Sequence, residues 1–302
     1  MDETIHPSAP EDQHVPLRWR NPLPSVALVA ESITVASLIE RKQLFKVDPQ
    51  QPARDAADRL GRFDFDAAPL DEDPVARYVE RRVLAGKDGP ACEFAVPINP
   101  PVLIAGPAPL ATALDLVRRT PVLFVLEGHN VVGVITQADL QLAPVGLYTL
   151  GLVFAMENAL DLLIKRHAGS TWRHLLTDGR LKKIDDVYAS RKDKNAQIEQ
   201  IDCLNLDDRE RLARKLPAVR SALGFSSGEQ VSKWMGPVKD LRNTLAHGGS
   251  LLDVERDPLR ALELISDIRK RAGLVWDAVG PDQGFSDGYA GTITAKLDGE
   301  TL

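Results

Sequence analysis

TPVLFVLEGHNVVGVITQADL, residues 120–140, joins two short apolar runs through a polar turn and then changes period. TPVLFVLEG (120–128) reads as one strand and Val131–Ile135 as a second. EGHN between two β-branched runs is a hairpin signal. From Thr136 onward the residues turn polar, as at the start of a helix. Upstream, PLATALDLVRR (109–119) places Leu110, Ala113, Leu114 and Val117 at helical spacing. An earlier stretch repeats the order: PARDAADRLGRF (52–63) carries Ala56, Ala57, Leu60 and Phe63 near that spacing, and FDAAPL (65–70) follows as a strand. The same unit of about 40 to 50 residues therefore occurs twice.

The repeat resembles a CBS pair, or Bateman module. The second copy carries the likeness in Gly133-Val134-Ile135-Thr136-Gln137-Ala138-Asp139, a complete Gly-apolar-apolar-Thr/Ser-x-x-Asp ending. The resemblance implies a regulatory adenine nucleotide (AMP, ADP or ATP) held through Gly133, Thr136 and Asp139. The chemistry is sound by itself. A hydroxyl at a helix start can meet a phosphate beside unpaired N–H groups, and a carboxylate can accept from both ribose hydroxyls. The plain alternative is that Thr136 caps a helix and Asp139 lies in its favourable first turn. The first copy departs from the pattern, because PVARYVERRVL (74–84) replaces that ending. At most one nucleotide half-site is therefore expected, and many CBS pairs serve only as dimerising scaffolds.

Residues 146–280 read differently. Long helical patterns are broken at AGST (168–171), TDGR (177–180), GFSSGE (224–229) and AHGGS (246–250). About five helices are expected. LYTLGLVFAMENALDLLIKRH (147–167) is apolar on almost every side, so it must be buried on more than one face. Dimerisation is one way to bury it. In DPLRALELISDIRKRAGLVWDAV (257–279), Asp257 suits an N-cap and Pro258 the first helical position. Met235-Gly236-Pro237 is expected to bend or restart the chain.

DLRNTLAHGG (240–249) then gathers chemistry at a helix end. Asn243 and His247 share a face at i and i+4. Gly248 and Gly249 stop the helix, so its dipole favours the imidazolium of His247. Such a histidine can transfer protons near neutrality, and an arginine can hold a phosphate in the transition state. The region resembles the HEPN superfamily of small all-helical dimers with an Arg-x(4–6)-His motif. That resemblance implies a metal-independent endoribonuclease acting as a homodimer on RNA, in host defence or beside an antitoxin partner. Arg242 would clamp the phosphate, His247 act as acid and base, and Asn243 orient. Glu157 or Asp161 on the first helix would support them. No cofactor is implied for catalysis. Other members are inactive adaptors. In that case Arg242 would pair with Asp240 or Glu157, and Asn243 and His247 would bond across the helix interface.

The expected fold class is therefore α+β: a tail at 1–24, an α/β CBS pair at 25–145, an all-α HEPN-like bundle at 146–280 and a tail at 281–302, with GTITAKL as an edge strand. The 302 residues suit about two domains. Apolar residues at 44% and charged residues at 26% are ordinary for a globular chain. Aromatics at 5% argue against an extended base-stacking surface. Two distant cysteines, Cys92 and Cys203, make no disulfide framework and suit a reducing cytoplasm. The first residues lack a secretory pattern, and no apolar run is expected to reach a membrane span. The net charge of −6 divides into +3 over residues 150–280 and −9 elsewhere. The basic ASRKDKN (189–195) reads as a solvated end that could also touch RNA phosphates. His167 and His174 read as surface residues, and Trp172, Trp234 and Trp276 as core.

Overall fold

A computed structural model describes residues 32–39, 43–194 and 198–280. The expected tails, and GTITAKL with them, lie outside the described residues. The first half begins with helix α1 (Ala36–Ile39) and then traces one path twice. In the first copy Val47 bridges Leu70 in parallel, α2 (Ala53–Arg62) follows, and β1 (Ala67–Pro69) pairs antiparallel with β2 (Arg77–Glu80) before α3 (Arg81–Leu84). β3 (Val96–Pro97) extends that sheet along β2. In the second copy β4 (Leu103–Ala105) runs parallel to β5 (Val122–Glu127). Helix α4 (Leu110–Val117) connects them, and β6 (Asn130–Thr136) returns antiparallel into a 3₁₀ turn, Gln137–Gln141. Gly128 makes the hairpin corner at φ 61°, where a side chain would be strained. The two sheets meet at Tyr78 and Phe124, whose ring centroids lie 4.9 Å apart.

The expected helix faces are buried: Ala56, Ala57 and Leu60 in α2, and Leu110, Ala113, Leu114 and Val117 in α4. Phe63 is not core, since it stands just past the end of α2 and is 56% exposed.

The second half contains α5 (Ala143–Ala168), α6 (Asp178–Lys192), α7 (Leu206–Lys215), α8 (Pro217–Ala222), α9 (Gly228–Ala246), α10 (Leu251–Val254) and α11 (Pro258–Val279). Five of these are long and two are short. Asp257 caps α11 by accepting from the Leu259 N–H at 2.9 Å, with Pro258 in the first turn. The α-helix ends at AGST as expected: Ala168 is its last residue, Gly169 caps it at φ 49°, and a separate 3₁₀ segment runs to Leu175. Pro237 does not restart the chain. It lies inside α9, which runs unbroken from Ser227 as N-cap to His247 as C-cap.

Helix α5 begins directly after the Gln137–Gln141 turn, so the two halves share one core. Leu114, Val125 and Ile135 join Leu152, Met156 and Ile164, and these join Leu262, Ile265 and Ile268. Helix α11 lies along α5. Trp276 donates its indole N–H to the Ala155 carbonyl at 3.0 Å, and Arg166 donates to the Ala278 carbonyl at 2.9 Å. Arg269 of α11 pairs with Asp115 of α4 at 2.6 Å. The segment Ala143–Leu175 is long and apolar enough to cross a membrane, which corrects the sequence expectation. Protein covers 67% of its most apolar stretch, so its apolar residues are largely used in packing.

Gly133 is required by packing. A Cβ built on it would stand 2.6 Å from Ile39 Cγ2 and 3.0 Å from Ile39 Cβ. Gly133→Ala must push α1 off β6 and is expected to cost about 1–3 kcal/mol in urea unfolding. An unchanged midpoint would show that α1 does not rest there.

Candidate functional site

Thr136 and Asp139 border a cleft of about 390 Å³ between the two repeats. Its other walls come from Gln43, Leu44 and Phe45 and from the turn after α2, Asp64 to Ala67. Phe45, Phe63 and Phe65 form an aromatic triad here. Their centroids are 5.5, 5.5 and 5.9 Å apart, and Phe45 and Phe65 line the cleft. Composition hid this group, because a low aromatic share says nothing about clustering. Phe63-Asp64-Phe65, just past the end of α2, was the available signal.

The polar residues are arranged differently from the phosphate cradle expected. Asp139 accepts from the Thr136 N–H at 2.8 Å, and Thr136 Oγ1 accepts from the Ala138 N–H at 3.3 Å. These bonds make a reciprocal helix cap. The Thr136 and Ala138 N–H groups are thus already bonded to the chain's own side chains. Gly133 does line the cleft, although its packing against Ile39 alone requires glycine.

The first copy lacks the matching half-site. Ala67 faces Glu80 as Val122 faces Thr136, so Glu80 holds the Thr136 place. By the same register Arg77 stands where Gly133 does, and Val83 where Asp139 does. Glu80 pairs with Arg82 at 2.5 Å and Arg77 with Glu72 at 2.8 Å. The Arg77 guanidinium holds the Glu72 carboxyl below its ordinary range.

The Arg242–His247 residues cap α9 at the surface. Asn243 and His247 are exposed and Arg242 is half-buried. The guanidinium lies 5.9 Å from the centre of the Phe154 ring and donates to Asn243 Oδ1 at 3.5 Å. Its Nε is 3.8 Å from Glu157 Oε1; both atoms are buried, and neither makes a hydrogen bond. No described side chain bonds the imidazole of His247. Of the packing alternative, the approach of Arg242 to Glu157 is present, while Asn243 and His247 are exposed in the single chain.

Glu157 and Asp161 separate in role. Asp161 accepts two bonds from Arg209 at 2.8 and 2.6 Å, and Glu157 accepts one from the same guanidinium at 3.0 Å. Only Glu157 also reaches toward Arg242. Sequence reasoning missed Arg209, which sits on α7, 48 residues beyond Asp161. Two buried carboxylates thus share one buried cation. Burial raises both, against the pull of Arg209, and lifts Asp161 to about 6. A carboxyl raised on folding binds its proton more tightly in the folded chain. This site therefore lowers stability as pH climbs from about 4 to 6, opposite to an ordinary ion-paired aspartate.

Residues 93–146 match the CBS domain family, so the chain carries a CBS domain in its α/β half, followed by a helical part. Among solved structures, an uncharacterized conserved protein of Pyrococcus horikoshii is 17% identical, with a TM-score of 0.32 over 36% of this chain and 90% of that one. A hemolysin-like, CBS-containing protein of Oenococcus oeni PSU is 16% identical, with a TM-score of 0.31 over 38% and 92%. Comparison with curated proteins gives no match.

Arg209→Met should cost about 3–5 kcal/mol at pH 7.5, because it strands two buried carboxylates. The loss should shrink toward pH 5 as they protonate. His247→Ala should stay within about 0.5 kcal/mol of wild type. Urea unfolding at both pH values reads this out, and a large His247→Ala loss would restore a packing role.

Proposed function

We propose that the chain is a nucleotide-sensing regulator whose output is metal-independent RNA cleavage at Arg242 and His247 in a homodimer. The observation carrying this reading is an exposed histidine at a helix C-terminus whose imidazole bonds no described side chain, five residues from an arginine aimed by a buried acid and an aromatic face. Arg242 makes its contacts at the edge of the core. HEPN-like chemistry fits them. One His247 takes the proton of the ribose 2′-hydroxyl, whose oxygen attacks the adjacent phosphate. The P–O5′ bond breaks, and a second protonated His247 returns a proton to the leaving 5′-oxygen. Arg242 stabilises the added negative charge, and Glu157 holds Arg242 in place.

Two histidines require two chains. Leu147 and Phe154 lie seven residues apart on one face of α5 and are 63% and 38% exposed. Arg242 covers Phe154, so this apolar stripe and the motif share a surface. A two-fold axis through it would bring both motifs together. The stripe equally suits a non-catalytic dimeric adaptor, which is the competing reading.

Regulation has a short physical route. The Gln137–Gln141 turn, which carries Asp139, packs against α5, α10 and α11. Helix α10 follows the motif glycines. A nucleoside or nucleotide in the cleft could bias α9 only by favouring one arrangement of these contacts.

RNA cleavage in EDTA is the test. Wild type should cut, and Arg242→Ala and His247→Ala should each lose about 100-fold or more while unfolding like wild type. Wild type failing to cut, with or without adenosine or AMP, would leave the adaptor reading.

A further inference from the structure

The end of α9 remote from the motif borders a second cleft, of about 470 Å³, between that helix and the end of α7. Arg211, Arg214 and Lys215 line one wall, and Gly228, Glu229 and Ser232 line the other. Three cations thus face one carboxylate. Arg211 is exposed and pairs with no described residue. Arg214 stands 3.8 Å from Glu210, too far for a hydrogen bond. Glu210 is buried and turned to Lys239 and Ser232, each at 2.7 Å. Lys215 donates to the Leu175 carbonyl at 2.7 Å, a neutral partner that does not cancel its charge. Gly228 lets the two walls approach, since a Cβ there would stand 3.3 Å from the Arg214 carbonyl oxygen.

This cleft and the motif lie on one side of α9. Glu229 and His247 are separated by about five whole turns, and Ser232 and Asn243 by about three. At ~1.5 Å per residue these pairs are about 27 and 16 Å apart along the helix. Resting on the reading of Arg242 and His247 as an RNA-cutting pair, we propose that the Arg211 cleft holds phosphates of the same RNA strand, away from the cut. At the ~3.4 Å per nucleotide of a stacked strand, the substrate runs about five to eight nucleotides along α9. Between the two ends, Lys239 is bound by Asp207 at 2.8 Å and by Glu210, and Asp240 lies exposed. The strand is therefore held at its ends rather than along its middle. Affinity steps up once a strand is long enough to reach both.

Binding of 2′-O-methyl RNA, which has no free 2′-hydroxyl to attack the phosphate, separates holding from cutting. Strands of about 3 and about 10 nucleotides are titrated against the full chain by fluorescence anisotropy over a salt series. The longer strand should bind wild type roughly tenfold tighter or more. Arg211→Gln/Arg214→Gln should lose most of that gain and make the salt dependence shallower by about one to two charges. Both residues are exposed, so the variant should fold. Lys182→Gln/Lys183→Gln removes the same charge from exposed positions on α6 and should keep the gain. Wild-type affinity in the Arg211/Arg214 variant, or an equal loss in both double variants, would overturn the inference and leave the cleavage reading standing. The expected length dependence, with no cutting of unmodified strand in EDTA, would support the cleft and overturn the cleavage reading. Wild type binding neither strand would overturn both.

Discussion

Burying helix α5 is the constraint on which both halves depend. Its 26 residues are apolar on nearly every side, so no single neighbour can cover it. The second CBS-type unit covers its start, α11 runs along its length, and α7 and α9 close another side. The α/β half and the helical half consequently share one core, with Val145 and Tyr148 as deeply buried as Leu160 and Ile164.

The same constraint explains the polar residues trapped on α5. Glu157 and Asp161 face α7, where Arg209 supplies a buried counter-charge to both. One guanidinium between two carboxylates leaves an excess of negative charge, and this draws Arg242 of α9 toward Glu157. Arg242 is thereby presented at the surface, over Phe154, rather than buried. An arginine held by charge and by an aromatic face, without a hydrogen bond to the acid, can turn to an external phosphate at low cost. The surface chemistry of α9 is in this sense set by the interior of α5.

Much of this was legible in the sequence, for physical reasons. The repeated helix–strand unit shows because its buried residues recur at fixed spacing, as in Leu110, Ala113, Leu114 and Val117. Asp257-Pro258 shows because cap chemistry is local, and the proximity of Glu157 to the Arg242 motif followed from the resemblance. What failed to show depends on tertiary placement. Pro237 stays helical because packing of α9 outweighs one lost N–H bond. Thr136 and Asp139 were legible as a pair, but not that they satisfy one another. Phe45 meets Phe63 and Phe65 only when the repeat folds, and Arg209 finds Asp161 only across two helices. The membrane-length expectation failed because Glu157 and Asp161 interrupt the apolar run in sequence but are too few to lower the apolar character of α5 as a whole.

The central claim is that one helix couples the cleft to the motif surface. Amide hydrogen exchange of the full chain, with and without saturating adenosine, tests it most directly. The expected result is slower exchange at 133–142 together with a change at 243–254, carried through the start of α5 and α10. Protection confined to the cleft walls, with exchange at 243–254 unaltered, would contradict the coupling.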